Sequence, residues 1–398
     1  MPTASADVRD FYERLPYPAP VNSLDEHREL YKNPLRRRAM FHLMFPAAPP
    51  AAHQEILVAG CGTSQAARYA LREPESRITA IDISETSLRH TSDLRDKYRL
   101  QNLDLHRLAI EDVRDLDRKF DQIICTGVLH HLPDPDLGLR ALGDVLRPNG
   151  AMHLMVYAPY GRAGIYMMQE YCRLLGITPS SAELRDLAGA LNALPSTHPI
   201  VEVIRRARDF HDAGALADAL LHPVDRAYSV PQLFDWLGRC GMSFGRWIYQ
   251  APYLAQCGTL AKTTHAARLA SLPAPQQYAA AELFRGSMVT HAFIAYRAGE
   301  SPSFTISANM IPIPLPWTVC VREHQPPGSV AVLINRAHTF TDLVLPINAA
   351  QDRLLSLADG NRTLAQIIQM SREDGQRALD FFEQLWRYDQ VVFDASRA

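Results

Sequence analysis

Residues 55–84, EILVAGCGTSQAARYALREPESRITAIDIS, decide how the rest of the chain is read. They open on a short unbroken apolar run, Ile56-Leu57-Val58-Ala59, of the kind that forms a strand buried on both faces. Gly60-Cys61-Gly62 follows, then a helix-compatible segment, 65–71, and a second apolar run, 78–83, with Asp82 near its end. The order is strand, glycine turn, helix, parallel strand. Glycines let a backbone approach a ligand closely, and a helix start offers N–H groups to it. A carboxylate about 20 residues after such a turn is placed to accept both hydroxyls of a ribose. The pattern implies a cofactor that contains a nucleoside.

A dinucleotide fingerprint needs a third glycine, G-x-G-x-x-G, and position 65 is Gln. The run FDQIICTGVLHHLPDP, 120–135, reads as a fourth strand, 120–125, and the loop after it. A helix over 137–146 and the turn Arg147-Pro148-Asn149-Gly150 lead into a fifth strand, 151–157. This arrangement resembles the class I S-adenosylmethionine-dependent methyltransferases, in which FDxIxxxxVLHHLxDP…LRxLxxxLRPxG is a familiar run. The resemblance covers about residues 50–160. It implies an α/β fold: a Rossmann-like seven-stranded sheet in the order 3-2-1-4-5-7-6, with S-adenosyl-L-methionine as cofactor and S-adenosyl-L-homocysteine as product. A nicotinamide-dependent oxidoreductase is the alternative that Gln65 and the sheet ending argue against.

Composition fits an ordinary soluble protein, with 398 residues, 47% hydrophobic and 21% charged. A net charge of -2 provides no field to attract nucleic acid, so none is expected as partner. Cysteines at 61, 125, 172, 240, 257 and 320 form no C-x-x-C pair, which speaks against a disulfide framework or a zinc site. No long apolar run or leader-like N-terminus is present, so no membrane association is expected and a cytoplasmic location is.

Residues 1–50 read as an N-terminal helical lid, with one helix over 7–15 and a second over 24–45, interrupted at Pro34. In many members of the resembled class such a segment closes over the cofactor, which makes Tyr12 and Tyr17 candidate lid contacts. The methyltransferase domain is expected over 51–298. It carries helical insertions at about 159–228 and 251–288, with strands six and seven at 243–249 and 291–297. Both insertions fall where the acceptor must bind and are expected to cap it. From about 299 a proline-rich stretch reads as a linker, and helices followed by a strand resemble a small α+β winged-helix-like domain, 299–398. That domain is expected to hold a peptide, a partner or a second protomer, a homodimer included.

The resemblance places Gly60, Cys61 and Gly62 against the methionine part and ribose, and Asp82 on the ribose hydroxyls, flanked by Ile83. Ile110 suits the adenine face, and Glu111 or Asp112 its exocyclic amine, because the family's usual acid position is Ala109 here. Thr126 and Gly127 face the methionine carboxylate or the sulfonium. His130 is a candidate general base, since its pKa lies near operating pH. Tyr157 and Tyr160 are candidate acceptor-side residues in the sequence YAPYGR, with Arg162 beside them. No third ligand stands at metal spacing from His130 and His131, so no metal is expected. The N-terminal YxxLPYP segment, the YAPYGR after strand five and the C-terminal DGNRT element are similar to those of bacterial methyltransferases with a regulatory domain, some of them protein-lysine methyltransferases. That resemblance implies a protein lysine as acceptor, with a small-molecule intermediate as the second expectation. A non-catalytic scaffold that keeps the cofactor fold is the remaining alternative, because Val58, Ser64 and Ala109 depart from the family pattern.

Overall fold

The computed structural model describes residues 4–51, 53–206, 212–303 and 305–397. Seven strands form one sheet: β1 (Glu55–Ala59), β2 (Arg77–Asp82), β3 (Leu103–Arg107), β4 (Phe120–Thr126), β5 (Leu146–Tyr157), β6 (Met242–Trp247) and β7 (Thr290–Arg297). Their order is β3-β2-β1-β4-β5-β7-β6. β1 pairs in parallel with β2 and β4, β2 with β3, and β4 with β5. Ile56, Leu57, Val58 and Ala59 are wholly buried, as a central parallel strand requires when helices cover both faces.

The helices are α1 (Ala4–Arg14), α2 (Asp25–Tyr31), α3 (Pro34–Met44), α4 (Gln65–Arg72), α5 (Glu85–Tyr98) and α6 (Pro135–Val145). After β5 come α7 (Ala163–Leu175), α8 (Ser181–Asn192), α9 (Pro199–Arg206), α10 (Ala213–Leu221) and α11 (Val230–Arg239). The stretch 159–228, expected to be a helical insertion, contains α7 to α10 in its described part; residues 207–211 lie outside the described residues. α12 (Ala266–Ala270) and α13 (Ala274–Arg285) lie between β6 and β7. β5 begins five residues earlier than the sequence suggests, at Leu146 rather than 151, because Phe120 of β4 pairs with Leu146 across a bulge.

Two compact units divide the chain: 1–28, 53–242 and 285–292 form the first, and 29–52, 243–284 and 293–398 the second. Within the first, α7, α8 and α10 build a separate apolar core from Ile165, Met168, Leu184, Leu187, Leu216 and Leu220, joined by Phe11 of α1. Burying one such side chain fully contributes about 1.5–3 kcal/mol, so this layer is a stable cap. Within the second unit, β8 (Ile311–Pro314) pairs antiparallel with β12 (Val391–Asp394). β9 (Thr318–Val321), β10 (Ala331–Asn335) and β11 (Val344–Ile347) form a three-stranded sheet. α14 (Ala349–Leu357), α15 (Leu364–Ser371) and α16 (Gly375–Arg387) precede β12. The stretch expected to be linker thus contains β8. Its Pro312 and Pro314 are tolerated because β8 pairs on one side only.

Candidate active site

A cavity of about 480 Å³ opens at the carboxyl ends of β1, β2 and β4 within the first unit. Gly60 and Gly62 sit at φ +67° and +55°, in the left-handed region that side chains rarely adopt. A Cβ at Gly60 would stand 2.4 Å from Val128 Cγ2, so only glycine leaves the turn this shape. The turn's amides are already engaged: Gly60 and Cys61 N–H donate to the Ile81 carbonyl, and Gly62 N–H donates to Asp82 Oδ2 at 2.8 Å. The turn therefore gives a ligand room rather than donors.

Asp82 Oδ1 accepts from Ser84 N–H at 2.9 Å, so each carboxylate oxygen holds one backbone donor and keeps lone-pair capacity. Burial pushes the Asp82 pKa up, against the pull of the Ser84 and Gly62 amides. A buried carboxylate with spare acceptor capacity on a cavity wall suits a pair of hydroxyls. Ile83, Ile110 and Glu111 share that wall, and Thr126 and Gly127 line the next part of it. Asp112 does not join them: it is exposed and off the wall, because the 3-10 turn Ile110–Leu116 directs Ile110 and Val113 inward and Asp112 out. Gln65, the residue in place of a third glycine, donates from Nε2 to Thr126 Oγ1 at 2.8 Å and links the helix start to β4.

The N-terminal segment covers this end. Tyr17 and Pro18 line the cavity, and Thr63 Oγ1 donates to the Pro18 carbonyl at 2.8 Å. Glu13 caps α5, accepting from Glu85 N–H at 2.8 Å and from the amide and hydroxyl of Thr86.

The far end is polar in a different way. Asp218 on α10 accepts from Tyr12 OH at 2.9 Å and from Tyr157 OH at 3.3 Å. Burial is the main cause that raises the pKa of all three groups. Arg162 lies 3.5 Å over the Tyr157 ring and pairs with Asp225 at 2.8 Å, with both partners buried. His131 Nδ1 faces the Val224 carbonyl at 2.7 Å; a carbonyl only accepts, so that nitrogen carries a proton, and in this tautomer Nε2 is the acceptor. His222 Nδ1 accepts from Val224 N–H at 3.1 Å, and burial followed by the charge of His131 lowers its pKa to about 2.

His131, Asp218 and His222 offer ligand atoms within 4.8 Å of one another. The set does not fit a metal, however. The Val224 N–H uses the lone pair on His222 Nδ1, which leaves a proton on Nε2.

Two of the residues expected to do chemistry lie elsewhere. His130 is fully buried and off the cavity wall, its ring 3.9 Å from that of Tyr157. Neither ring nitrogen has a hydrogen-bond partner among the described residues, so it packs beneath the tyrosine instead of meeting a ligand. Tyr160 is 42% exposed and also off the wall, because the chain turns outward there before α7. Tyr157 does line the cavity. Sequence reasoning missed Asp218. Its one signal was a lone carboxylate inside an otherwise apolar helix, AGALADALL.

Residues 57–152 match the family model for a methyltransferase domain. An uncharacterized protein of Synechococcus sp. is 37% identical over 210 residues, which are 50% of this chain and 49% of that protein. A ubiquinone biosynthesis O-methyltransferase of Albidiferax ferrireducens is 30% identical over 127 residues, 31% of this chain and 48% of that one. The chain thus spans about half the length of these curated relatives. The solved structure of PKMT2 from Rickettsia typhi in complex with AdoHcy has TM-score 0.61 at 17% identity, covering 92% of this chain and 76% of that chain. At that identity the likeness is one of fold.

Proposed function

We propose that the chain carries a class I S-adenosylmethionine-dependent methyltransferase domain and moves the sulfonium methyl of S-adenosyl-L-methionine to a nucleophile held at the Tyr12–Tyr157–Asp218 end of the cavity. Asp82 is the single observation that carries the reading. Its carboxylate stands on the cavity wall at the end of β2, fixed by two backbone donors, with acceptor capacity left for two ribose hydroxyls. Ile110 offers an apolar surface to the adenine, and Glu111 an acceptor for its amine. Thr126 and Gly127 lie where the methionine end would rest.

S-Adenosylmethionine supplies an already activated methyl, so the chain's own task is alignment of a nucleophile about 3 Å from that carbon. The walls perform it by shape: glycines 60 and 62 let the ligand sit deep, and the α7–α8–α10 cap shields the far end from water. A protein lysine is the leading acceptor. A small-molecule intermediate is the second reading, favoured by the name of the Albidiferax relative, an O-methyltransferase.

Titration calorimetry with S-adenosylmethionine and S-adenosylhomocysteine, with NADH as control, tests the cofactor. Micromolar binding of the first two and none of NADH is the expected result, to be followed by an acceptor screen with labelled methyl donor. Binding of NADH alone would overturn the reading in favour of an oxidoreductase. Binding of S-adenosylmethionine without turnover on any acceptor class would favour the scaffold.

A further inference from the structure

The far end of the cavity holds a carboxylate, Asp218, that no cation pairs directly among the described residues. The Asp218 and Asp225 side chains are buried there, and Arg162, also on the cavity wall, is paired with Asp225 and lies 3.5 Å over the Tyr157 ring. Asp218 has no ion-pair partner among the described residues; its two hydrogen-bond partners are neutral phenols, and the charges of His131 and Arg162 act on it from farther off. Those phenols use their single protons on Asp218, so toward the cavity they present oxygen lone pairs. His131 adds Nε2, an acceptor in the tautomer that the Val224 carbonyl selects. The wall is thus a carboxylate, an imidazole nitrogen and two phenol oxygens, with the Arg162 guanidinium held against Tyr157 and Asp225. A ligand made only of acceptors, such as a carboxylate, meets repulsion here. One rich in N–H donors and carrying positive charge completes it, and a primary ammonium has three donors and one charge.

We propose that the acceptor is an amine that enters as its ammonium ion, and that Asp218 is the catalytic residue that receives its proton. The inference rests on the methyltransferase reading above and deepens it. The ammonium R–NH3+ gives one proton to the Asp218 carboxylate and becomes R–NH2. Its freed lone pair forms the N–C bond as the C–S bond breaks, with that electron pair returning to sulfur. The products are R–NH2+–CH3, the neutral thioether and a protonated Asp218, which releases its proton to solvent. Charge moves from sulfur to nitrogen and no oxidant or metal is needed. Tyr12 and Tyr157 act as positioning residues: they fix the carboxylate, and their bonds to it hold it ready as a base without adding a competing cation.

The test uses the full chain loaded with S-adenosylhomocysteine, titrated with n-butylamine, n-butanol and butyrate. Saturable binding of butylamine, at least tenfold tighter than the alcohol and with no butyrate binding, is expected. Asp218→Asn should weaken butylamine at least tenfold while the affinity for S-adenosylhomocysteine stays within twofold, which also shows that the variant is folded. Should Asp218→Asn not fold, the ligand selectivity of the wild-type protein decides by itself.

The groups that face Asp218 are Tyr12, Tyr157, His131, His222, Arg162 and Asp225. With the burial of Asp218 they shape a pH profile in which amine affinity falls as pH drops and the carboxylate protonates. Nα-acetyl-lysine N-methylamide binding tighter than butylamine would assign the amine to a polypeptide side chain. Equal binding would assign it to a free small amine. Butylamine binding no tighter than butanol, or equal affinity in Asp218→Asn, would overturn the inference and leave the cofactor reading intact. A wild-type protein that does not bind S-adenosylhomocysteine would overturn both.

Discussion

Asp82 and Gly60 separate what a residue does for the ligand from what it does for the fold. Burial raises the Asp82 pKa above the ordinary carboxylate value of about 3.9, so the ionised form is disfavoured in the native state. Asp82→Asn leaves one acceptor oxygen for the two backbone donors at Gly62 and Ser84, so it should cost the ligand-free protein about 1–3 kcal/mol of stability. It should weaken S-adenosylhomocysteine about 10–100-fold, because hydrogen bonds to a charged group contribute roughly 1.5–3 kcal/mol each. The pH dependences have opposite signs. A raised native pKa means the folded state holds more protons than the unfolded one, so the Asp82 contribution to stability declines as pH rises through that window. Cofactor affinity should fall as pH drops through the same window, and calorimetry from pH 8 downward checks both trends. Gly60→Ala adds left-handed strain of about 1–2 kcal/mol to a Cβ placed 2.4 Å from Val128. It should lower the melting temperature by several degrees and reduce cofactor binding. The double variant with Val128→Ala should recover only the part owed to the clash. Full recovery would show that backbone conformation contributes nothing.

At the level of elements, the hold of α1 can be loosened at Glu13, which does not line the cavity, while its ligand-facing Tyr12 stays in place. Glu13 caps α5 through three donors, and those bonds outweigh burial and hold its pKa below the usual carboxylate range. Glu13→Ala removes a cap worth about 1 kcal/mol, so S-adenosylhomocysteine should dissociate about fivefold faster by stopped-flow fluorescence. A depressed pKa makes the contribution present at neutral pH and lost as pH falls, so wild type and variant should converge in acid. An unchanged rate would mean that α1 holds its place by Phe11 and its apolar neighbours alone.

These elements also show why parts of the molecule could be read from sequence and parts could not. β1, β2, β4 and the glycine turn were legible because their chemistry lies in consecutive residues: a buried parallel strand is an unbroken apolar run, and Asp82 follows its turn at a fixed distance. Asp218 was not legible, since its partners Tyr12 and Tyr157 stand 206 and 61 residues away and meet it only through the cap. Likewise nothing local says that His130 turns under Tyr157 while His131 faces the cavity. β8 was read as linker because prolines suit both a loop and a strand paired on one side.

On the scale of the whole molecule, two compact units carry different chemistry, and a lesion in one should be separable from the work of the other. The cavity lies within the first unit. In the second, Arg38 of α3 donates to Asp394 of β12 at 2.7 Å, and His42 Nε2 stands 3.4 Å from the same carboxylate oxygen. Asp394 is 4% exposed, and Ser396 and Arg38 together hold its pKa down against the upward push of burial. Its contribution to stability is therefore complete above the ordinary carboxylate range and lost as pH falls through the depressed value. Removing one partner of a buried pair costs about 3–5 kcal/mol, and about half of that is expected here because Arg38 keeps 22% side-chain exposure. For 150–250 residues each kcal/mol shifts the midpoint by about 2–4 °C, so Asp394→Ala should lower it by about 4–8 °C at neutral pH. The shift should shrink in acid, where the wild-type carboxylate is also neutral. Titration at 20 °C should give wild-type affinity for S-adenosylhomocysteine, because Asp82, the glycine turn and Asp218 are untouched. A variant whose affinity fell in parallel with its midpoint would show instead that α3 and β12 sustain the cavity itself, and the second unit would then belong to the binding machinery.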